Sequence, residues 1–198
     1  AAALIAWTWN TTKADIERSV RAAEARQLLE IFPANTHNNS LIDDRFTLKA
    51  NTPLLELRSE RSGYTVRLDD EVVGIILPAT ARDGYSGDIE LIVGIAADGT
   101  VAGTRVVSHK ETPGLGDGID TRKSPWMLSF NGRSLISPSQ PDWGVKKDGG
   151  AFDQFTGATV TPRAVVAAVR RTLEYQALHR AQLFEIEVAE NSAVETGP

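Results

Sequence analysis

The chain contains no cysteine among its 198 residues. That excludes disulfide staples, iron–sulfur clusters held by this chain, thiol catalysis and cysteine-ligated zinc. It does not fix a compartment, because a secreted chain can do without cysteine. Histidine is scarce too: His37, His109 and His179 lie far apart with no ligand spacing. A metal site needs three or four convergent ligands, so His109-x-Glu111 is not read as one. Positive charge is in deficit, with 21 Lys and Arg against 26 Asp and Glu and a net charge of −5. Aromatic residues make up only 7%, with no basic-aromatic stripe. Both features argue against a sequence-independent nucleic-acid binder, which requires a basic surface. The apolar stretch Ala1–Trp9 is shorter than the roughly 20 residues that span a bilayer. No internal repeat and no Ser-His-Asp order is evident, and Gly84-Tyr85-Ser86-Gly87 lacks the glycine spacing of a hydrolase nucleophile elbow.

What is present suffices for a core. Hydrophobic residues make up 41%, and the length fits one domain with an appended arm. Residues 15–31 predict a helix, with an approximate stripe of Ile16, Val20, Ala23, Leu28 and Ile31, stopped by Phe32-Pro33. Strand patterns follow at Leu54–Arg58, Tyr64–Leu68, Val72–Leu77, Ile89–Ala96 and Val101–Ser108. Turns are expected near Arg61-Ser62-Gly63, at Asp69-Asp70 and, most strongly, at Asp98-Gly99. Residues 109–125 read as loop, Pro125–Phe130 as a short helical turn, and 131–152 as loop with a short strand near Val145. A second helix is predicted after Thr161, reaching about His179, and an acidic disordered tail beyond Ile186. The expected fold class is α+β: a twisted antiparallel sheet with one covered face, packed by helices from both ends of the chain.

The most informative run is Asp153-Gln154-Phe155-Thr156-Gly157-Ala158-Thr159, directly before the second helix. Pro162 suits a first helical turn, and Val166, Val169 and Leu173 continue at helical spacing. Thr159 therefore sits among unpaired backbone N–H groups, a favourable place for a phosphate. From local physics alone the ordinary reading is that Thr156, Thr159 or Thr161 caps the helix.

A second segment, His109-Lys110-Glu111-Thr112-Pro113-Gly114-Leu115-Gly116, joins Gly84–Ile89, Leu91–Ile95 and Lys147–Gly150. Together with the Asp153–Thr159 run, these stretches resemble the G-subunit family of Rnf-type electron-transport complexes. The resemblance covers about residues 14–185. That family is an FMN-binding domain family, related to the C subunit of the sodium-pumping NADH:quinone reductase, which shares the Glu-Thr-Pro-Gly-Leu-Gly run.

The resemblance implies FMN (covalent), held through a phosphoester on Thr159 and installed by an external, magnesium-dependent flavin transferase that uses FAD. An unassisted threonine hydroxyl is a poor nucleophile, and no base for it is evident here. Gly157 and Ala158 leave room for approach to the backbone. Asp153 either belongs to the transferase motif, positioning metal during attachment, or caps a turn or pairs with Lys146 or Lys147. Thr156 and Thr161 either donate to the phosphate or cap the helix. Glu111 is read as accepting from the flavin ring N–H, against the alternative of a solvated loop charge. Thr112 would add a hydroxyl, with Leu115 and Gly116 against the ring. Gly114 and Gly116 have the alternative of permitting unusual φ. Tyr85 either stacks near the flavin or packs in the core.

The resemblance also implies an electron-carrying subunit of a membrane-bound, ion-translocating ferredoxin/NAD oxidoreductase complex: a redox subunit of the translocase class with other subunits as partners, not a standalone enzyme. Residues 1–13 are expected to be the remnant of a single N-terminal anchor in a bacterial inner membrane. Residues 14–186 would be the FMN-binding domain with its helical stalk, in the periplasm, and 187–198 a disordered tail. Two other functions compete: a non-redox periplasmic binding module, and a freestanding flavin reductase, for which no second set of catalytic groups is visible.

Overall fold

Two turn sequences organise the sheet. Asp69 and Asp70 both take positive φ, 50° and 68°, which suits a two-residue hairpin loop of type I′. They close the pair Leu68 and Glu71. At the other turn Gly99 has φ 87°, and Asp98 Oδ1 accepts from the Thr100 N–H at 2.9 Å and its hydroxyl at 2.7 Å. In the computed structural model, which describes residues 18–184, these turns belong to one meander. Strands β1 (Arg45–Leu48), β2 (Arg61–Leu68), β3 (Glu71–Ala81), β4 (Ile89–Ala96) and β5 (Val101–Ser108) form a five-stranded antiparallel sheet in sequential order. Helix α1 covers residues 18–31 and α2 covers Val160–Leu178. The fold is α+β, as expected. The expected anchor remnant (1–13) and the tail (187–198) lie outside the described residues.

The single covered face is corrected to two. Successive residues of β3 and β4 are buried on opposite sides, as the pleat requires. Ile75, Leu77, Leu91, Val93 and Ile95 meet Ala164, Val165, Val169 and Leu173 of α2. Ile76 and Ile92 meet Leu28, Ile31 and Phe32 at the end of α1, with Tyr64 and Val66. Only this end of the α1 stripe packs, since Val20 is 62% exposed. The approach is close because the strands carry glycine beneath it: a Cβ on Gly94 would lie 2.1 Å from Ile31 Cγ2, and one on Gly74 2.6 Å from Phe32 Cζ.

Leu54–Arg58 is not a strand, and the first strand is Arg45–Leu48 instead. Leu55 and Leu57 are buried as their alternation suggested. However, Leu54 and Glu56 take φ of 69° and 53°, which breaks any extended run. The segment serves a different purpose. β2 pairs with β3 only as far as Ile76, and beyond that point Leu55 O accepts from the Thr80 N–H at 2.9 Å. Pro78, which has no N–H to offer, is tolerated where strand pairing on that side has ended. Arg61-Ser62-Gly63 is likewise not a turn but the start of β2, paired with Leu48, Thr47 and Phe46. Trp126–Phe130 is a 3-10 turn within the expected Pro125–Phe130 span, and the strand near Val145 is a single parallel bridge to Phe152.

Gly94→Ala is expected to destabilise the fold by about 1–3 kcal/mol, the usual cost of overpacking. Urea denaturation would show it as a lower midpoint at unchanged slope; an unchanged midpoint would mean the helix end yields freely.

Candidate functional site

In an antiparallel meander, β3 ends, β4 begins and β5 ends at the same edge of the sheet. The loops 82–88 and 109–116 therefore emerge side by side. The start of α2 meets them there, and a cavity of about 210 Å³ opens between them. Its walls are Tyr85, Glu111, Thr112, Leu115, Gly116, Gly157, Ala158, Thr159, Val160 and Thr161. Segments far apart in sequence thus converge on one hollow. A larger groove of about 530 Å³ lies against α1 on the opposite face, but none of the expected site residues lines it.

The turn that precedes α2 is built locally. Phe155 O accepts from the Ala158 N–H at 3.2 Å, and Gly157 takes φ 78°, as the third residue of a type II turn requires. Thr159 follows in helical conformation, φ −80° and ψ −25°, and no side-chain oxygen caps α2. The capping role open to Thr156, Thr159 and Thr161 is thereby corrected. Among the described residues the Thr159 hydroxyl makes no hydrogen bond. The first helical bond is from the Arg163 N–H to Thr159 O, at 3.3 Å. The Val160 and Thr161 N–H groups precede it and are left without helical acceptors, while Pro162 has no N–H.

Aromatic packing fixes this turn from behind. Trp126 Nε1 donates to Asp153 O at 2.7 Å, and the indole meets Phe155 edge-on at 5.2 Å. Phe155 lies on Gly118, where a Cβ would come within 2.9 Å of its ring. Asp153 itself is exposed and pairs with Lys146 at 2.7 Å, which fits its structural alternative. Neither Asp153 nor Thr156 lines the cavity.

Glu111 is buried, at 5% exposure, so the solvated alternative is overturned. Its Oε1 accepts from the Ser86 N–H at 2.9 Å, and its Oε2 accepts from the Thr161 hydroxyl. Each oxygen thus has one protein donor, and Glu111 also lines the cavity. Thr161, fully buried, spends its proton on Glu111. A Cβ on Gly116 would lie 2.6 Å from Glu111 Oε2 and 2.8 Å from Thr161 Oγ1. Gly116 is therefore required for space, not for unusual φ. Gly114, at φ 77°, is the one that needs the left-handed region. Tyr85 is 72% exposed, so its core alternative falls, and with Leu115 (47%) and Val160 (40%) it gives the mouth an apolar rim. Val160, Ser86 and Trp126 were missed as site residues. Only Ser86 had a signal, through its place in the Gly84–Ile89 stretch.

The loop beyond the cavity is clamped by carboxylates. Asp117 accepts from the Gly114 N–H at 2.7 Å and pairs with Lys123 at 3.1 Å. Its carboxyl is held below the ordinary value, chiefly by Lys123 and then by Gly114. Arg122 holds the Asp120 carboxyl down to about 2. Depressed carboxylates contribute stability that is present above their ordinary pKa and lost as pH falls through the folded value. Residues 112–124 are accordingly expected to loosen as pH drops from 3.8 to about 2. Amide NMR would see them broaden before β3 and β4, and Asp117→Asn with Asp120→Asn would remove that pH dependence.

Residues 84–174, which include every wall of this cavity, match the family described as FMN-binding domain. Several proteins are similar over most of the chain. One from Pseudomonas aeruginosa is 48% identical over 186 residues, covering 94% of this chain and 86% of its own length. One from Vibrio cholerae is 45% identical over 180 residues, covering 91% and 85%. One from Erwinia tasmaniensis is 48% identical over 164 residues, covering 83% and 77%. Each is named as the G subunit of an ion-translocating oxidoreductase complex.

Proposed function

Because this chain belongs to the G-subunit family of ion-translocating oxidoreductase complexes, we propose that it is the electron-transfer subunit of such a complex, carrying FMN on Thr159. The observation that carries the proposal is the state of the motif's hydroxyls. Thr161 is buried and committed to Glu111, and Thr156 stands outside the cavity. Thr159 faces it with a free hydroxyl, at a helix start whose Val160 and Thr161 N–H groups suit a phosphate.

Covalent attachment agrees with the small size of the hollow. Pockets that enclose a drug-sized ligand run to roughly 300–1,000 Å³, and this cavity is about 210 Å³. Enclosure alone would hold a flavin weakly, so a phosphoester supplies the retention. Bound FMN supplies one- and two-electron chemistry. The residues of this chain do the remaining work: Leu115, Val160 and Tyr85 present an apolar rim that excludes water, and Gly116, Gly157 and Ala158 keep the walls low. Thr112 adds a hydroxyl to the lining. Asp153, exposed at the far side of the turn, is available to an external FAD- and magnesium-dependent transferase that reads the motif.

In this reading the other subunits of the complex are the partners, and the complex catalyses ion translocation coupled to ferredoxin and NAD redox chemistry. Residues 1–13 are the end of an inner-membrane anchor, 14–186 the FMN domain on the periplasmic side, and 187–198 a tail.

Co-expression with a flavin transferase is expected to add one FMN phosphoryl mass and in-gel flavin fluorescence, both absent in Thr159→Val. In the assembled complex that variant should lose electron transfer through this subunit. Transfer at the normal rate without bound flavin would favour the non-redox binding module instead.

A further inference from the structure

Accepting the reading that Thr159 receives FMN, the geometry points to Glu111 as the positioning residue that aims this threonine and withholds its neighbour Thr161. An ionised carboxylate is acceptor-only, and a buried one must find donors. Glu111 finds them on two other segments, the Ser86 N–H in the loop after β3 and the Thr161 hydroxyl in the first turn of α2. Holding Thr161 inward sets the rotation of that turn, and hence the direction of Thr159 two residues earlier. The same bond removes Thr161 from competition. Its proton is directed at Oε2, it is fully buried, and the Gly116 backbone is packed so tightly against both groups that a Cβ there would come within 2.8 Å of Oγ1.

In the transfer, Thr159 Oγ displaces AMP from FAD. An Oγ–P bond forms, the pyrophosphate P–O bond on the FMN phosphorus breaks, and AMP leaves. The hydroxyl proton passes to the transferase or to water, and no electron moves. Glu111 touches neither the phosphorus nor the leaving group in this account; it acts through Thr161 and Ser86.

The test uses the whole chain with transferase, FAD and magnesium, followed by time-resolved intact mass and peptide mapping. Wild type and Thr161→Ser, which keeps the hydroxyl, are expected to label at Thr159 at similar rates. Thr161→Val and Glu111→Ala should slow labelling by about tenfold or more at saturating FAD, well within what a misplacement of an ångström costs, with the KM for FAD unchanged. Amide exchange on the unlabelled proteins should rise at 84–88 and 158–163 while β3 and β4 stay protected. If Glu111→Ala proves unfolded, the Thr161 valine and serine pair decides the matter. Labelling of Thr161→Val at the wild-type rate overturns the inference. If wild type itself never labels, the FMN–Thr159 reading fails separately. Glu111 is then judged by exchange alone, and unchanged exchange at 84–88 and 158–163 overturns its role.

Discussion

A charge withdrawn from water must be met by donors, and in this protein that requirement falls on Glu111. Its two oxygens take one donor from residue 86 and one from residue 161. The three segments around the cavity are thereby tied at one point. Removing the carboxylate would leave the buried Thr161 hydroxyl without its acceptor, at roughly 1–3 kcal/mol, and would free the more exposed Ser86 N–H to water. The shape of the hollow, the inward turn of Thr161 and the need for glycine at 116 all follow from that one buried side chain.

The sheet makes the tie possible. Sequential antiparallel order puts the exits of β3 and β5 and the entry of β4 at one edge. Helix α2 lies on one face and brings its start to the same edge. At its other end, Arg180 Nη1 donates to Ala97 O in the β4–β5 turn at 2.5 Å. Midway, Arg171 reaches Glu56 Oε2 at 3.0 Å and Thr80 O at 3.4 Å. The helix is thus fastened midway and near its far end as well as at its first turn, where Glu111 holds Thr161.

Much of this was legible in the chain. Hairpin turns announced themselves through Asp-Asp and Asp-Gly, and the C-terminal helix through Pro162 and its apolar period. The two motif segments supply most of the cavity's walls, though Asp153 and Thr156 stand outside it. What failed, failed for physical reasons. Leu54–Arg58 has the burial pattern of a strand, but positive φ at Leu54 and Glu56 is invisible to periodicity. The second covered face was missed because glycines at 74 and 94 look like weak strand positions until Ile31 and Phe32 are placed on them. Glu111 looked solvated or ligand-facing because its partners, a main-chain N–H and a hydroxyl fifty residues away, leave no trace in sequence spacing. Asp153 matched the motif, yet it stands outside the hollow, and nothing local distinguishes the two placements.

The seating of α1 has a mechanical consequence. The helix is bolted at several levels: Arg21 to Asp43, Glu24 to the Tyr64 hydroxyl, and Glu30 to Arg105, the last at 2.8 Å. Leu28 and Ile31 are sunk between these fastenings. Residues 18–31 rise about 21 Å as a helix, with an exposed ion pair near its start and its buried seat at the Leu28–Phe32 end. A displacement applied at residue 18 therefore reaches the sheet chiefly where the helix is seated, through Leu28, Ile31 and Phe32 and the Glu30–Arg105 pair, on the face opposite α2.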